Sequence, residues 1–420
     1  MDSATVEKTY ALSREYYAQY GVDSDKALEK LDSVSLSLHC WQGDDIRGFE
    51  KSGAAPSGGI QVTGSYPGKA RTLDELRMDL HQAFSHIPGR HRLNLHAIYG
   101  DFGGKIVDRN EIEPAHFRSW IEWAKQENLK IDFNSTCFSH PKSDSGSTLS
   151  SKDKAVRKFW IEHVKRCRKI SAFIGRELKN SCLHNLWIPD GSKDLPFDRW
   201  GPRSLLKESL DEIFEVEFSA SQMKDSLESK LFGIGSESFV VGSHEFYLAY
   251  ALTKGKIVCL DLGHFHPTEA VADKLSALLQ FMDEIALHLS RPVRWDSDHV
   301  VILTDELRAV AEEVVRGQAL DRTHIALDFF DGSINRIGAW VVGARAALKA
   351  ILVALLEPRQ RLKEAEGNGR YLERLALLDE TKTSPSGAVW DWYCLQKDRL
   401  PGLKWLKEVE VYEKRVLSKR

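Results

Sequence analysis

The feature that most constrains the fold of this chain is an alternation of short apolar runs and helix-like segments, repeated about eight times. Several runs are apolar at consecutive positions, which is typical of parallel strands covered on both faces. Alternation of this length predicts an α/β fold, a closed (β/α)8 TIM barrel rather than an open sheet. The predicted strands lie at 33–41, 92–99, 129–137, 182–188, 228–232, 257–261, 285–289 and 323–328.

The segments between these runs carry helix signals. Thr304 is a suitable N-cap with two acids in the turn after it, and Gly317 ends the same segment. The most apolar stretch, 337–356, contains Arg345 and Lys349. A membrane span would have to bury both charges in lipid, so this stretch is predicted to be a packed helix.

The length of the chain fits one barrel with helical additions. A barrel of this type needs about 250 residues, and the chain has 420. Residues 1–45 are predicted to form an N-terminal helical segment leading into the barrel, whose first strand begins near residue 33. Residues 46–342 are assigned to the catalytic barrel and 343–420 to a helical extension that serves oligomerisation. The polar stretch 143–151 is predicted to be a mobile loop.

Charge and cysteine content exclude several classes of protein. With 58 basic and 61 acidic residues, the formal net charge is −3, which offers no global field for nucleic acid or an anionic membrane. The first residues include acids and no apolar run, so no secretory signal is expected. Six scattered cysteines without a CxxC pair favour reduced core thiols. A cytoplasmic protein without nucleic-acid or membrane partners is predicted.

Acidic and histidine residues fall at or near the ends of four consecutive predicted strands. Their separations are 33, 27 and 40 residues, each the size of one βα unit. Because the C-terminal ends of barrel strands meet in one mouth, these side chains are expected to converge there. Any one of them alone is more often a satisfied polar residue of the core, but four together favour a divalent cation, which removes the penalty of burying them. The four residues are Glu228, Asp261, His288 and Asp328.

A second set lies just beyond the same strands. Asp296 and Asp298 are two residues apart, so in an extended segment they project to the same side. With His264 they supply two carboxylates and one imidazole, a pattern that leaves metal positions open for water and substrate. Two sites in one mouth predict a two-metal or a structural-plus-catalytic centre. The oxygen-rich donors favour Mn²⁺, with Zn²⁺, Co²⁺ and Mg²⁺ as alternatives.

Four long motifs surround these residues: ESKLFGIG (228–235), LDLGHFHPTE (260–269), SRPVRWDSDHVV (290–301) and HIALDFFDGSINR (324–336). These motifs resemble the L-rhamnose isomerase family, and the likeness spans nearly the whole chain. The resemblance implies a metal-dependent aldose–ketose isomerase on a (β/α)8 barrel with a helical extension, which forms homotetramers.

The resemblance also implies roles for individual residues. It assigns one set of ligands to a structural metal, namely Glu228, Asp261, His288 and Asp328. It assigns His264, Asp296 and Asp298 to the catalytic metal. It places His96, Trp187 and Lys230 in the wall of the sugar pocket.

The activity expected from the resemblance is the interconversion of L-rhamnose and L-rhamnulose, a small-molecule sugar pair. A metal-assisted 1,2-hydride shift at the mouth of the barrel is the favoured mechanism. Lys230 would hold developing negative charge, so Lys230, His264, Asp296 and Asp298 are the predicted catalytic residues. An enediol route requires a metal-free carboxylate over the reacting carbons, and none is evident in the sequence.

Other functions remain open on the residues alone. One is a different divalent-metal barrel enzyme, either a sugar epimerase or a phosphoester hydrolase. Another is a metal-braced sugar-binding protein, although a second, open metal site argues against it. On pattern alone, Trp187 is equally well a core aromatic residue and His96 a core histidine.

Overall fold

Eight parallel strands close into a barrel in this computed structural model, which describes residues 2–50, 64–230, 238–293 and 299–420. The strands follow chain order around the ring, and the eighth pairs with the first. The predicted (β/α)8 fold is therefore confirmed. The strands are β1 (Ser35–His39), β2 (Arg90–His96), β3 (Lys130–Thr136), β4 (Cys182–Trp187), β5 (Met223–Glu228), β6 (Ile257–Asp261), β7 (Ile285–Leu289) and β8 (Thr323–Leu327).

The prediction for the fifth strand is wrong. β5 ends at Glu228, where the predicted strand 228–232 begins, and residues 231 and 232 lie outside the described residues. β5 contains Lys224 and Asp225, and both charges are bound by neighbouring elements: Lys224 by Glu284 and Asp225 by Arg168. A search for apolar runs misses a strand whose charges are neutralised by residues distant in sequence.

Each barrel strand is followed by a helix. In the helix after β7, the Thr304 side chain accepts a hydrogen bond from the Leu307 backbone N–H, and Gly317 follows the last helical residue. Both predicted helix ends are confirmed. The eight helices are α3 (Leu73–Phe84), α4 (Arg118–Gln126), α5 (Lys154–Leu178), α6 (Trp200–Ile213), α7 (His244–Lys254), α8 (Val271–Leu278), α9 (Asp305–Arg316) and α10 (Arg336–Leu355).

Helix α10 is a core helix. It is long and apolar enough to cross a membrane, but 78% of its most apolar window is buried inside the protein. Arg345 is buried on it, donates to the Leu400 carbonyl oxygen, and lies 5.5 Å from the Trp390 ring centroid. A cation held by a carbonyl and an aromatic face fits a protein interior, as the packed-helix prediction requires.

The terminal helices pack on one another and on the helices that surround the barrel. Tyr10 stacks on Trp392 with ring centroids 5.2 Å apart. Arg420 Nη1 lies 2.6 Å from Asp79 Oδ2 on α3. Helix α10 runs unbroken through residues 342 and 343. The division of the chain there into barrel and helical extension stays a prediction. These helices are α1 (Ser3–Gln19), α2 (Ser24–Asp32), α11 (Arg359–Gly367), α12 (Tyr371–Glu380), α13 (Ser386–Gln396) and α14 (Trp405–Arg415).

The stretch 143–151 is anchored, which corrects the expectation of a mobile loop. The Asp190 carboxylate is fully buried and accepts hydrogen bonds from the backbone N–H and hydroxyl of both Thr148 and Ser150. Leu149, between them, is also buried. Since Asp190 follows β4 by three residues, this stretch is fixed beside the mouth of the barrel.

Candidate metal centre

Four strands bring four potential ligands to the C-terminal mouth of the barrel. Glu228 and Asp261 are the last residues of β5 and β6, His288 lies in β7, and Asp328 follows β8. The strand register pairs Asp261 with His288. The Asp328 backbone N–H donates to the Leu289 carbonyl oxygen, which places it beside β7. Register, rather than chance contact, therefore brings these side chains together.

The ligand atoms of these residues all lie within 4.8 Å of one another. His288 Nδ1 is 3.0 Å from Asp328 Oδ2 and 3.3 Å from Glu228 Oε2. Glu228, Asp261 and His288 are buried, and the Asp328 side chain is 23% exposed. Carboxylates and an imidazole at this spacing are the donors that divalent cations take in proteins.

The electrostatics of the cluster also fit a cation. Burial by itself raises the pKa of Glu228, but the His288 and His264 imidazoles outweigh burial and hold that pKa below its usual range. The buried Nδ1 of His288 makes no hydrogen bond to any described residue, although carboxylates surround it. A buried imidazole nitrogen that faces carboxylates without a hydrogen bond has the geometry of a metal ligand.

Neighbouring polar groups hold the carboxylates in place. Asn185 Nδ2 donates to Glu228 Oε2, and Asn185 Oδ1 in turn accepts from the Ser226 hydroxyl. The Ser290 hydroxyl donates to Asp261 Oδ1 over 2.9 Å. Such supports orient ligands and tune the affinity for a metal. The sequence reasoning missed Asn185 and Ser290. Only strand register, which places Asn185 opposite Ser226, identifies the first.

His264 lies next to this cluster. It follows β6 by three residues, and its Nδ1 lies 2.9 Å from the Ser229 carbonyl oxygen and 3.2 Å from Glu228 Oε1. Because a carbonyl oxygen only accepts, Nδ1 carries the proton in this contact. Asp296 and Asp298, the predicted partners of His264, lie outside the described residues.

A row of aromatic rings extends from His264 across the mouth. Trp187 lies 6.5 Å from His264 between centroids, and Phe138 lies 5.6 Å from Trp187. His96 follows at 5.8 Å from Phe138, and Trp41 packs edge-on against His96 at 4.5 Å. Trp187 and His96 are half-buried, so both present some surface to the mouth. Sequence reasoning predicted Trp187 and His96 but missed Trp41 and Phe138, which follow β1 and β3.

Lys230 and His96 complete the wall of the mouth. Lys230 is buried, and its Nζ lies 5.3 Å from the centroid of the Trp187 ring. His96 Nδ1 lies 3.0 Å from Thr136 Oγ1, and burial lowers the pKa of His96 to about 3. The imidazole is therefore neutral at physiological pH and serves as a hydrogen-bonding group. The structure thus places all three predicted pocket residues at the same end of the barrel as the ligand cluster.

Comparisons with known proteins agree over the whole chain. The family model described as L-rhamnose isomerase (RhaA) matches residues 4–420. An L-rhamnose isomerase of Rhodopirellula baltica is 54% identical over 418 residues, covering 100% of this chain and 98% of the relative. One of Bacteroides thetaiotaomicron is 55% identical over 415 residues, covering 99% of each.

A solved structure of L-ribulose 3-epimerase is more distant. It has a TM-score of 0.49 and 12% identity, and the match covers 79% of this chain and 97% of that one. The full-length sequence matches alone establish the family. The chain is an isomerase and belongs to the L-rhamnose isomerase family.

Proposed function

We propose that this isomerase interconverts L-rhamnose and L-rhamnulose, an aldose and its ketose, at the C-terminal mouth of the barrel. One observation carries the proposal: the buried cluster of three carboxylates and His288 lies in a chain more than half identical, end to end, to proteins named L-rhamnose isomerase. The aromatic row beside the cluster supplies the apolar surface against which a sugar ring packs.

We further propose two cations in this mouth. A structural ion would be held by Glu228, Asp261, His288 and Asp328, and a catalytic ion by His264 with Asp296 and Asp298. The supports for the first are the ligand spacing and the His288 Nδ1, which makes no hydrogen bond within the part of the chain that the structure describes. Support for the second is the place of His264 at the same mouth, where its Nδ1 lies 3.2 Å from Glu228 Oε1. Mn²⁺ suits these donors best, and Zn²⁺, Co²⁺ and Mg²⁺ are the alternatives.

When bound, a divalent cation supplies Lewis acidity that polarises the sugar carbonyl. The protein itself positions the sugar and stabilises charge. Trp187 and Phe138 form an apolar wall that excludes water from the reacting carbons. The Lys230 ammonium, held over the Trp187 ring, stabilises negative charge that develops on a sugar oxygen during transfer. Neutral His96 accepts or donates a hydrogen bond to a sugar hydroxyl.

The reaction moves one hydrogen from C2 to C1 of the sugar. In the proposed route it moves as hydride, while the O2 proton leaves and the former aldehyde oxygen gains a proton. An enediol route needs a protein base over C1 and C2, and the described mouth carboxylates are committed as metal ligands. Running the reaction in D₂O distinguishes the two routes. The proposal expects little solvent deuterium at C1 of the ketose, and heavy incorporation there would contradict it.

Turnover of L-rhamnose by the Mn²⁺-loaded protein, followed as ketose formation, is the direct test of the substrate. Turnover on a different deoxy sugar or a phosphate ester, with none on L-rhamnose, would overturn the proposal. Asp296→Asn with Asp298→Asn should remain folded and lose activity by more than about 100-fold. Asp305→Asn is a matched control because its side chain is 91% exposed on α9, and it should keep full activity.

The chain is also proposed to form a homotetramer, with the 343–420 extension contributing to the interface. The support is an exposed apolar face on α12, where Tyr371, Leu372 and Leu375 are 60%, 80% and 62% exposed. Exposed apolar patches of this kind mark protein interfaces. Sedimentation equilibrium tests the proposal: a mass four times that of the 47.6 kDa chain is expected, and a monomer would contradict it.

A cytoplasmic location is proposed from the cysteines. All six are free thiols in the protein interior. Proteins of oxidising compartments usually form disulfides, so free thiols favour a reducing compartment such as the cytoplasm. Fractionation of the source cells, with the protein tracked by antibody, tests this: recovery in a membrane or secreted fraction would contradict it.

A further inference from the structure

Cys259 lies beside the ligand cluster but has no part in the proposed metal sites. It is buried in β6, two residues before Asp261. The strand register places it directly opposite Glu228. Its Sγ, a Glu228 carboxylate oxygen and a His288 imidazole nitrogen all lie within 4.8 Å of one another. The thiol of Cys259 is therefore placed to coordinate an ion bound between Glu228 on β5 and His288 on β7.

Two observations beyond the presence of a thiol point to a ligand. Glu228 and His288 belong to both donor sets that the described residues provide, one completed by Cys259 and the other by Asp261 and Asp328. The buried Nδ1 of His288 makes no hydrogen bond to a described residue. A buried nitrogen without a hydrogen-bond partner among the described residues points to a ligand at this cluster.

The two sets differ in chemical preference. Carboxylate oxygens with one imidazole suit Mn²⁺ and Mg²⁺, whereas a thiolate selects softer ions such as Zn²⁺. Cd²⁺ is softer still and makes a useful probe of thiolate ligation. Because Glu228 and His288 are shared, an ion bound through Cys259 excludes an ion bound through all four oxygen and nitrogen ligands.

We propose that Glu228, Cys259 and His288 form an alternative site for a thiophilic divalent cation, Zn²⁺ or Cd²⁺, which overlaps the structural metal site. This inference rests on the metal assignment proposed above. On binding, the thiol releases its proton to water and the sulfur coordinates the ion, with no change of oxidation state. A thiophilic ion would then compete with Mn²⁺ at this mouth, because both would need Glu228 and His288.

The test is a Cd²⁺ titration of the chelator-treated full chain, followed by the ultraviolet thiolate-to-cadmium charge-transfer absorption. The wild-type protein should show a saturable band of one Cd²⁺ per chain. Cys259→Ser and Cys259→Ala should each lose the band and weaken Cd²⁺ binding by about 100-fold. Two variants are used because one of them alone can fail to fold, and their circular dichroism is compared with the wild type.

Cys167→Ser is the matched control. Cys167 is also buried beside an imidazole, with Sγ 3.7 Å from His163 Nε2, but no carboxylate completes a group there among the described residues. This variant should keep the band. Absence of the band in the wild type, or its persistence in both Cys259 variants, would overturn the proposal.

Competition with Mn²⁺ tests the overlap without any variant. Raising Mn²⁺ should shift the apparent Cd²⁺ dissociation constant upward in proportion to its concentration. A charge-transfer band that is indifferent to Mn²⁺ would overturn the shared site. The proposed function is tested by a separate readout. If it fails, the Mn²⁺-loaded wild type does not turn over L-rhamnose, whether or not the Cd²⁺ band is present.

Discussion

The two ends of this barrel both bury clusters of charge, but they balance that charge differently. Near the N-terminal end, Asp225 on β5 lies 2.9 Å from the Arg168 guanidinium and 3.1 Å from His184. Arg92 pairs with Asp132 at 2.6 Å in the same half of the barrel. At the C-terminal mouth, three carboxylates surround His288.

The difference separates a stabilising cluster from a binding cluster. We call the N-terminal end closed, because its charges are paired within the chain, and the C-terminal mouth open, because its carboxylates outnumber its positive partners. Arg168 also donates to the carbonyl oxygens of Ile213 and Val216, so every part of its guanidinium is used within the chain. The mouth instead has a surplus of negative ligands and a His288 nitrogen that no described residue hydrogen-bonds. A cluster whose charges are balanced by the chain's own residues contributes to stability. A cluster whose negative charges exceed its positive partners binds an added cation.

The largest expected effect is at the closed end. Arg168→Met leaves Asp225 as a buried charge with less compensation, and should lower the free energy of unfolding by about 3–5 kcal/mol. Urea unfolding measures the change. Arg176→Met on the same helix is the control, since its side chain is 59% exposed and surface ion pairs contribute about 0–1 kcal/mol. Equal losses in the two variants would remove the distinction between a buried and a surface pair.

Metal binding should act at the open end alone. Adding Mn²⁺ to metal-stripped protein at about 100 times its dissociation constant should raise the free energy of unfolding by about 2.7 kcal/mol. Asp328→Asn should reduce this gain strongly, whereas Asp321→Asn, an exposed carboxylate two residues before β8, should not. Thermal unfolding with and without Mn²⁺ measures both. An unchanged gain in Asp328→Asn would exclude Asp328 as a ligand.

Acid should weaken the closed end. Burial raises the pKa of Asp225, but His184 and Arg168 outweigh it and lower the pKa to about 2. The folded pKa lies below the unfolded value of about 3.9, so the stabilisation is present above that pH and lost as the pH falls through about 2. It amounts to about 2.6 kcal/mol. Unfolding measured from about pH 5 to pH 2 should show this loss in the wild type and a shallower one in Asp225→Asn, and parallel profiles would contradict the assignment.

The smallest effect is expected at the open end without metal. Asp328→Asn removes one of the surplus negative charges, so in metal-stripped protein it should change the free energy of unfolding by less than about 1 kcal/mol. Chemical denaturation after chelation measures it. A loss as large as that of Arg168→Met would mean that the mouth is completed by the chain's own residues.

The same contrast explains what could be predicted from the sequence. The bounds of β6 and β7 were predicted as observed, because both are short apolar runs between clear helices. β5 was misplaced because Lys224 and Asp225 conceal a strand whose charges are bound by residues on other elements. Helix α14 lies within the predicted helical extension, 343–420.

The candidate site was accessible to sequence reasoning only in part. Glu228, Asp261, His288 and Asp328 stand at strand ends, a position that spacing alone indicates. Trp41 and Phe138 belong to loops, and their approach to His96 depends on the path of the chain after β1 and β3. The polar composition of 143–151 led to a prediction of mobility. That prediction failed because the residue that anchors the stretch, Asp190, lies about forty residues further along the chain and cannot be identified as its partner from local sequence.

The most direct measurement of the central claim is a Mn²⁺ titration of the metal-stripped chain in which unfolding free energy and L-rhamnose turnover are followed on the same samples. The open mouth predicts that chelation abolishes turnover and that stability and turnover recover together as Mn²⁺ is added. Full turnover in protein shown by elemental analysis to hold no metal would contradict the claim.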